Sequence, residues 1–488
     1  MLKRSETPKN SSLAVLITLL LTFLPANYIY AGLLSYDSTG AGQTDVSHGN
    51  KGEHIPQDQM IVPFRKDFDW TRVDELFSDW DKPGSPGAAV GVIHKGEMIY
   101  SRGYGEANLD YGIPVIPETV FSIASISKQF TAACIAILIE KGMLDPEDDI
   151  RDYIPEMPEY DDIVRVRHLP YHISGVRDLY QTLNFADYGL ANVMTLDDKL
   201  KVIASQSALN FPPGERHLYS NAGYTLMVFL VERVSGKPFS EFANEYIFEP
   251  LGMDNTHFHD NSSKVVKNRA TSYFERNEEF HIAYWGNYQG VGPAGLNTTI
   301  VDLFKWDQNL YENKLGHSLD LNRILHERGV LNNGDTINYA FGLRMGDHRG
   351  LNTVGHGGSL MGFRTNYLRI PSQEFSVIVF SNLGSFNPGS MSAKIADLYL
   401  EDLFEQKLAK YQGTFVNPDL GTKVVIKLED GSLILERPLS PKGEMTHTGA
   451  GKFSMGSWDI EFYHDEHGDI AGFKVDRTRA LNVVYEKE

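Results

Sequence analysis

Residues 121–138 read FSIASISKQFTAACIAIL. The string opens with Ser125-Ile126-Ser127-Lys128 and closes as an apolar run, a pattern that predicts a strong helix near 126–142. If that helix starts near Ser125, a spacing of three puts Ser125 and Lys128 on one face. Unpaired backbone N–H groups at a helix start, together with the helix dipole, favour negative charge developing beside the serine. A lysine partly removed from water can lose its proton below its usual pKa of about 10.4 and deprotonate the neighbouring hydroxyl. An S-x-x-K string alone is weak, because chance supplies about one or two in a chain of this size. Its plain structural reading is an N-cap serine followed by a surface lysine. Context has to decide between them.

Two further strings supply that context. Tyr219-Ser220-Asn221 lies in GERHLYSNAGYTLMVFLVERVSG, where a loop precedes a long apolar helix near 222–235. A tyrosine held near cations can act as a general base and return the proton to a leaving group. The asparagine can position a substrate carbonyl or hold the lysine. Tyr311-Glu312-Asn313 has the same spacing, but its surroundings, NLYENKLGH, read as the exposed end of a helix. The third string is His356-Gly357-Gly358-Ser359. Small residues after a polar one let substrate backbone approach a strand closely. The N–H of Ser359 can then pair with the N–H of Ser125 as an oxyanion hole, where losing one donor costs about 3 kcal/mol of barrier. Two more H-x-G strings, at His348 and His447, fall in an expected loop and in the C-terminal segment. Only His356 precedes a hairpin, GFRTNYLRIPSQEFSVIVFSNL, that would pair it into a central sheet.

The order and setting of these three motifs resemble the serine β-lactamase-like hydrolases: class C β-lactamases, D,D-peptidases, D-aminopeptidases and related esterases. The resemblance spans residues 66–404 and includes LPYHISGVRDL (169–179), FPPGERHLYSNAGY (211–224), GPAGLNTTIVDLFKW (292–306) and GHGGSLMGFRTNYLRIP (355–371). It implies an α+β fold, with an antiparallel sheet flanked by helices, a helical subdomain, and the site between them. It implies that Ser125 is acylated, that Lys128 and Tyr219 handle protons, and that Asn221 and His356 contact substrate or the tyrosine. Where class C β-lactamases carry Lys-Thr-Gly, this chain has His-Gly-Gly. A histidine is neutral about half the time near pH 6.5, so it pairs poorly with a substrate carboxylate. The resemblance therefore implies a peptidase or esterase ahead of a β-lactamase. His172, in YHISG, reads as a structural histidine.

The rest of the chain fits an exported enzyme. Its 488 residues predict two or three domains. A formal net charge of −19 disfavours nucleic-acid binding, which needs clustered cations. The single cysteine, Cys134, lies in an apolar stretch and reads as a buried small hydrophobe; alone it forms no intrachain disulfide. Lys3, Arg4 and Lys9 precede an apolar run, Leu13 to Leu24, which is short of the ~20 residues of a spanning helix. Residues 1–31 are therefore expected to be a signal peptide, cleaved after Ala31, that directs the chain to the periplasm or outside; an uncleaved N-terminal anchor is the alternative. Residues 32–65, rich in Gly, Ser, Asp and Gln, read as a flexible linker in which His48 and His54 are solvated filler.

DWTRVDELFSDW predicts an amphipathic helix with Val73, Leu76, Phe77 and Trp80 on one face, and Lys95-Gly96 a hairpin turn. Strands are expected near 352–357, 363–370 and 374–381. From Tyr411 the helical signal ends. KVVIKLEDGSLILE and FYHDEHGDIAGFKV predict hairpins, so residues 405–488 are expected to form a small β-barrel, loosely similar to a lipocalin-like one.

The expected chemistry is acyl transfer. Ser125 attacks an amide or ester carbonyl of a small molecule or peptide, Lys128 and Tyr219 move the proton, and a water activated near Tyr219 and His356 releases the acyl group. No metal or organic cofactor is called for, and the C-terminal domain is a candidate assembly surface. The rivals are a β-lactamase, a penicillin-binding sensor that acylates with little turnover, and a degenerate relative.

Overall fold

The computed structural model describes residues 62–188, 194–283, 290–315, 321–429, 431–449 and 451–488. The expected leader, and the linker up to residue 61 with His48 and His54, lie outside the described residues.

The predicted hairpin forms as β1 (Ala88–His94) and β2 (Glu97–Tyr104), joined by Lys95 and Gly96. Both turn residues have positive φ, 49° and 79°, the geometry that matches the twist of a two-residue hairpin. Helix α1 (Thr71–Leu76) precedes them and is shorter than the sequence pattern suggests, although Val73 and Phe77 are buried as expected. Helix α2 (Ser127–Glu140), α3 (Asn221–Ser235) and α4 (Ile300–Glu312) follow. Then come β3 (Arg344–His348), β4 (Leu351–Leu360), β5 (Phe363–Ile370) and β6 (Phe375–Ser381), and finally α5 (Pro388–Tyr399) and α6 (Glu401–Ala409). The sheet is antiparallel throughout, in the order β3-β4-β5-β6-β1-β2.

Strands β1 and β6 are buried along their whole length because the sheet is covered on both faces. Side chains alternate between the faces. Ala89, Ile93, Ile378 and Phe380 pack with α2 and α4, whereas Val90, Val92, Val377 and Val379 pack with Val73, Ile395 and Tyr399 on the other side. Helix α2 is buried from Ser127 to Leu138, so the apolar run of the deciding sequence is the centre of the larger core.

Eight further strands, β7 (Gly413–Val416), β8 (Lys423–Glu429), β9 (Ser432–Arg437), β10 (Ser440–Gly449), β11 (Lys452–Met455), β12 (Trp458–His464), β13 (Ile470–Arg477) and β14 (Ala480–Lys487), close into a barrel. Phe415, Phe453, Phe462 and Phe473 meet in its core with ring centroids 5.1 to 6.0 Å apart. Side chains fill this interior, as eight strands permit. Helix α6 leads into the barrel and spans residue 405, where the sequence suggested a domain boundary.

The β3–β4 turn is tied to this side of the molecule. The His348 ring and the Arg349 guanidinium each reach Asp397 of α5 at 2.9 Å, and Lys407 of α6 donates to the Gly350 carbonyl at 2.9 Å. The fastening matters because β4 carries the glycine-rich string to the site. Strand β3 pairs only with Leu351–Gly355, so among the described residues His356–Leu360 has no strand on that edge.

Candidate active site

The turn that presents Ser125 precedes the α-helix. Ala124–Ile126 is a single 3₁₀ turn, and α2 begins at Ser127. Ala124 has φ 48°, an uncommon left-handed conformation for a residue with a Cβ, and the surrounding bonds hold it there. Ser127 Oγ donates to the Ala124 carbonyl at 2.5 Å and accepts from the Leu296 N–H at 3.1 Å. Thr365 Oγ1 donates to the Ile123 carbonyl at 3.0 Å. Ser125 is left half-buried at the head of the helix.

Lys128 is 0% exposed, and its Nζ lies 3.1 Å from Ser125 Oγ, 2.9 Å from Asn221 Oδ1 and 2.8 Å from the Pro293 carbonyl. Burial pushes its pKa well below that of a free lysine; the charge on Arg344 adds to the shift and that on Asp178 opposes it. A neutral amine has two N–H donors and one lone pair. Asn221 and Pro293 take the donors, which leaves the lone pair for the Ser125 hydroxyl. In the charged form all three N–H groups still find acceptors. The geometry therefore suits a group that takes a proton from Ser125 and gives it back. Of the two roles open to Asn221 in the sequence, the structure shows it holding the lysine.

Tyr219 belongs to the same cluster. Lys128 Nζ is 4.8 Å from the centroid of its ring, and the Arg344 guanidinium is 5.4 Å from it on the strand side. His172 fastens the tyrosine from behind. The N–H before it, of Leu218, donates to the His172 carbonyl at 2.9 Å, and the N–H after it, of Ser220, donates to His172 Nδ1 at 3.1 Å. The two rings lie 4.2 Å apart. Tyr311 lies in the last turn of α4, and Asn313 is the helix's left-handed cap, so the decoy string is a helix terminus.

Strand β4 passes directly over the turn that presents Ser125. A Cβ on Gly358 would stand 2.2 Å from Thr365 Oγ1 and 2.4 Å from the Ile123 carbonyl, distances no side chain tolerates. Gly357 is different, since a Cβ there would meet nothing closer than 3.6 Å. Ser359 is exposed on the stretch of β4 without an edge partner. His356 lies behind the tyrosine. It is 4% exposed, its Nδ1 donates to the Gly357 carbonyl at 2.6 Å, and its Nε2 accepts from Tyr339 Oη at 3.1 Å. Burial and the nearby cations, Arg344 first, hold it neutral. Both nitrogens are engaged, so the ring anchors Tyr339 and β4, and it lies 6.1 Å from the Tyr219 ring, the second of the two contacts the sequence left open for it.

Four participants escaped the sequence reading. Asp178 Oδ2 accepts from the Asn221 backbone at 2.7 Å and from its side-chain amide at 2.9 Å, which fixes the asparagine with its oxygen toward Lys128. The Pro293 carbonyl is brought in by Gly292, where a Cβ would collide with Val228 and Tyr224. Tyr339 and Arg344 complete the strand side. Asp178 and Pro293 both lie in segments noted for their resemblance, but spacing alone gave them no role.

The chain is similar to known proteins of one family. Residues 73–400 match the family described as Beta-lactamase. Penicillin-binding protein 4* of Bacillus subtilis (strain 168) is 30% identical over 308 residues, 59% of this chain and 66% of that one, so the match spans just under two thirds of the relative's length. A D-aminopeptidase of Gluconobacter oxydans (strain 621H) is 26% identical over 365 residues, 74% of this chain and 68% of that one. The octameric penicillin-binding protein homologue from Pyrococcus abyssi shares the fold, with a TM-score of 0.61 at 22% identity over 86% of this chain and 100% of that one. The Ser125 turn, the buried lysine and the tyrosine loop thus stand in a chain that belongs to the β-lactamase family of serine hydrolases.

Proposed function

We propose that the protein hydrolyses an amide or ester bond through an acyl-enzyme on Ser125, as a peptidase, amidase or esterase. Neutral Lys128 takes the hydroxyl proton as Ser125 Oγ bonds to the carbonyl carbon. The N–H groups of Ser125 and Ser359 hold the oxyanion. The C–N or C–O bond then breaks, and the leaving group departs with a proton returned through Tyr219 and Lys128. A water deprotonated by the same pair hydrolyses the ester on Ser125 and restores the hydroxyl. The observation that carries this reading is the fully buried amine 3.1 Å from Ser125 Oγ, with its other two contacts fixed by Asn221 and Pro293.

Mass analysis of the intact protein after exposure to a fluorophosphonate, with peptide mapping, tests it. One adduct on Ser125, absent from Ser125→Ala, is expected; unchanged labelling in that variant removes the mechanism. Similarity to a D-aminopeptidase favours an amide of a D-amino acid among the candidate substrates. Similarity to a penicillin-binding protein supports a second reading, slow acylation by penicillin with little turnover. Comparing kcat/KM on a D-amino-acid amide, a small ester and a β-lactam separates them. We also propose export, on the basic and apolar pattern of residues 3–24, and self-assembly through the barrel; sedimentation of the mature chain with and without residues 411–488 tests the assembly. No helix among the described residues is long and apolar enough to cross a membrane.

A further inference from the structure

A cleft of about 480 Å³ opens beside Tyr219. Asp178, Tyr219, Arg177, Gln181, Gln206 and Asn210 line it. Phe185 and Leu218, also on its lining, are 90% and 48% exposed. The chain has 64 acidic side chains against 45 basic ones, and arginines 65, 72, 102, 151, 165, 167, 233, 323, 349 and 369 pair with carboxylates; Arg177 belongs with those that, among the described residues, do not, such as Arg216 and Arg364, and it is the arginine that lines this cleft. Arg177 is half-buried, and its one hydrogen bond among the described residues is a long one, 3.4 Å, to the neutral amide of Gln206. Among the described residues it forms no ion pair. The adjacent Asp178 is committed elsewhere: Tyr180 N–H, Gln181 N–H and the two Asn221 donors occupy its oxygens.

We infer that this cleft is a substrate subsite that takes a carboxylate on Arg177, with an apolar segment of the substrate against Phe185 and Leu218. The planar guanidinium offers paired donors that fit a carboxylate, and the amides of Gln181, Gln206 and Asn210 can complete its hydrogen bonds. Such a site selects acidic substrates against the long-range repulsion of a protein with net charge −19. The inference rests on the serine-hydrolase reading and adds the substrate class: an amide or ester bearing a free carboxylate near the scissile bond.

The test uses matched esters. p-Nitrophenyl monosuccinate and monoglutarate are compared with their methyl-capped counterparts, which places the acid in the acyl part. 4-Acetoxybenzoate is compared with its methyl ester, which places it in the leaving group. At least one acid is expected to exceed its capped partner by about 10- to 100-fold in kcat/KM, the range of a charge-assisted hydrogen bond. Within Arg177→Gln that ratio should fall to about 1, and Arg177→Lys should restore part of it. A slow enzyme is read by the same ratio in the rate of Ser125 acylation. Equal use of acid and capped esters by the wild type, or a ratio unmoved in Arg177→Gln, overturns the inference and leaves the hydrolase reading intact. A ratio lost in Arg344→Gln but kept in Arg177→Gln assigns the carboxylate to the sheet edge and overturns it as well. A wild type that neither cleaves nor is acylated by any ester fails the hydrolase reading itself.

Discussion

One carboxylate oxygen of Asp178 accepts both the backbone and the side-chain N–H of Asn221, at 2.7 and 2.9 Å. This pair sets the direction of the Asn221 amide, and through it the place of the Lys128 amine. Asp178 is also the charge that opposes the fall in the lysine's pKa.

Asp178→Asn keeps a good helix cap at this position, so the fold should survive. Turnover should drop about 10- to 100-fold as Asn221 loses its anchor. Removing the negative charge should also lower the pKa of Lys128 further, keeping it neutral to lower pH. The acid limb of the kcat/KM profile should therefore move down in pH. A limb that stays put or moves up would show that Asp178 does not act on the lysine.

Gly358→Ala and Gly357→Ala make a matched pair. The first forces a Cβ into Thr365 and the carbonyl before the nucleophile turn; the second meets only ordinary contacts. Gly358→Ala should cost at least about 2 kcal/mol of stability, in the range of overpacked sites, or displace Ser125 and remove most activity. Gly357→Ala should fold normally. Urea titrations that rank the two in the opposite order would refute the close approach of β4.

His172→Ala removes the acceptor of the Ser220 N–H and places alanine at φ 57°. The tyrosine loop should loosen, with kcat down about 100-fold, in the usual range for a misplaced proton-transfer group. Fluorophosphonate labelling of Ser125 should suffer less, because its leaving group needs little help. Equal losses in both assays would argue that the histidine supports the whole core and not Tyr219.

Stability should decline below neutral pH. Burial lowers the pKa of His94 to about 4 and of His168 to about 3, and pushes those of His172 and His356 down as well. The unfolded chain takes up these protons as pH falls through about 6.5 while the folded chain does not, so the unfolded state gains. The contribution is intact above 6.5 and is lost toward 4 for His94 and 3 for His168. Each histidine adds a slope of up to about 1.4 kcal/mol per pH unit. Urea unfolding between pH 7 and 4.5 should show this slope, reduced in His168→Gln, whose amide oxygen can replace the ring as acceptor for the Arg165 N–H. A flat profile would contradict it.

The elements readable in the sequence were those with a strong local period. The apolar run after Lys128, the Lys95-Gly96 turn and the alternation around Asp430-Gly431 each point to one structure. The motif order carried Ser125, Lys128, Tyr219 and Asn221: Lys128 donates to Ser125 and Asn221, and its amine lies 4.8 Å from the centre of the Tyr219 ring. What stayed hidden depends on tertiary neighbours. The neutrality of His356 follows from its burial against Tyr339, which spacing cannot reveal. Asp178 reads locally as a helix cap, and its second oxygen acts on a helix 43 residues away. Pro293 contributes a backbone carbonyl, for which side-chain identity gives no signal.

The proposed mechanism depends most on an uncharged Lys128 that activates Ser125. The rate constant for fluorophosphonate labelling of Ser125, followed across pH in the wild type and in Lys128→Met, measures this most directly. The prediction is a wild-type rate already at its plateau near pH 7, falling at lower pH, and a rate at least about 100-fold lower in Lys128→Met with no such limb. A variant that labels at the wild-type rate, or a wild type whose rate climbs steadily to pH 10 as an ordinary lysine loses its proton, would contradict it.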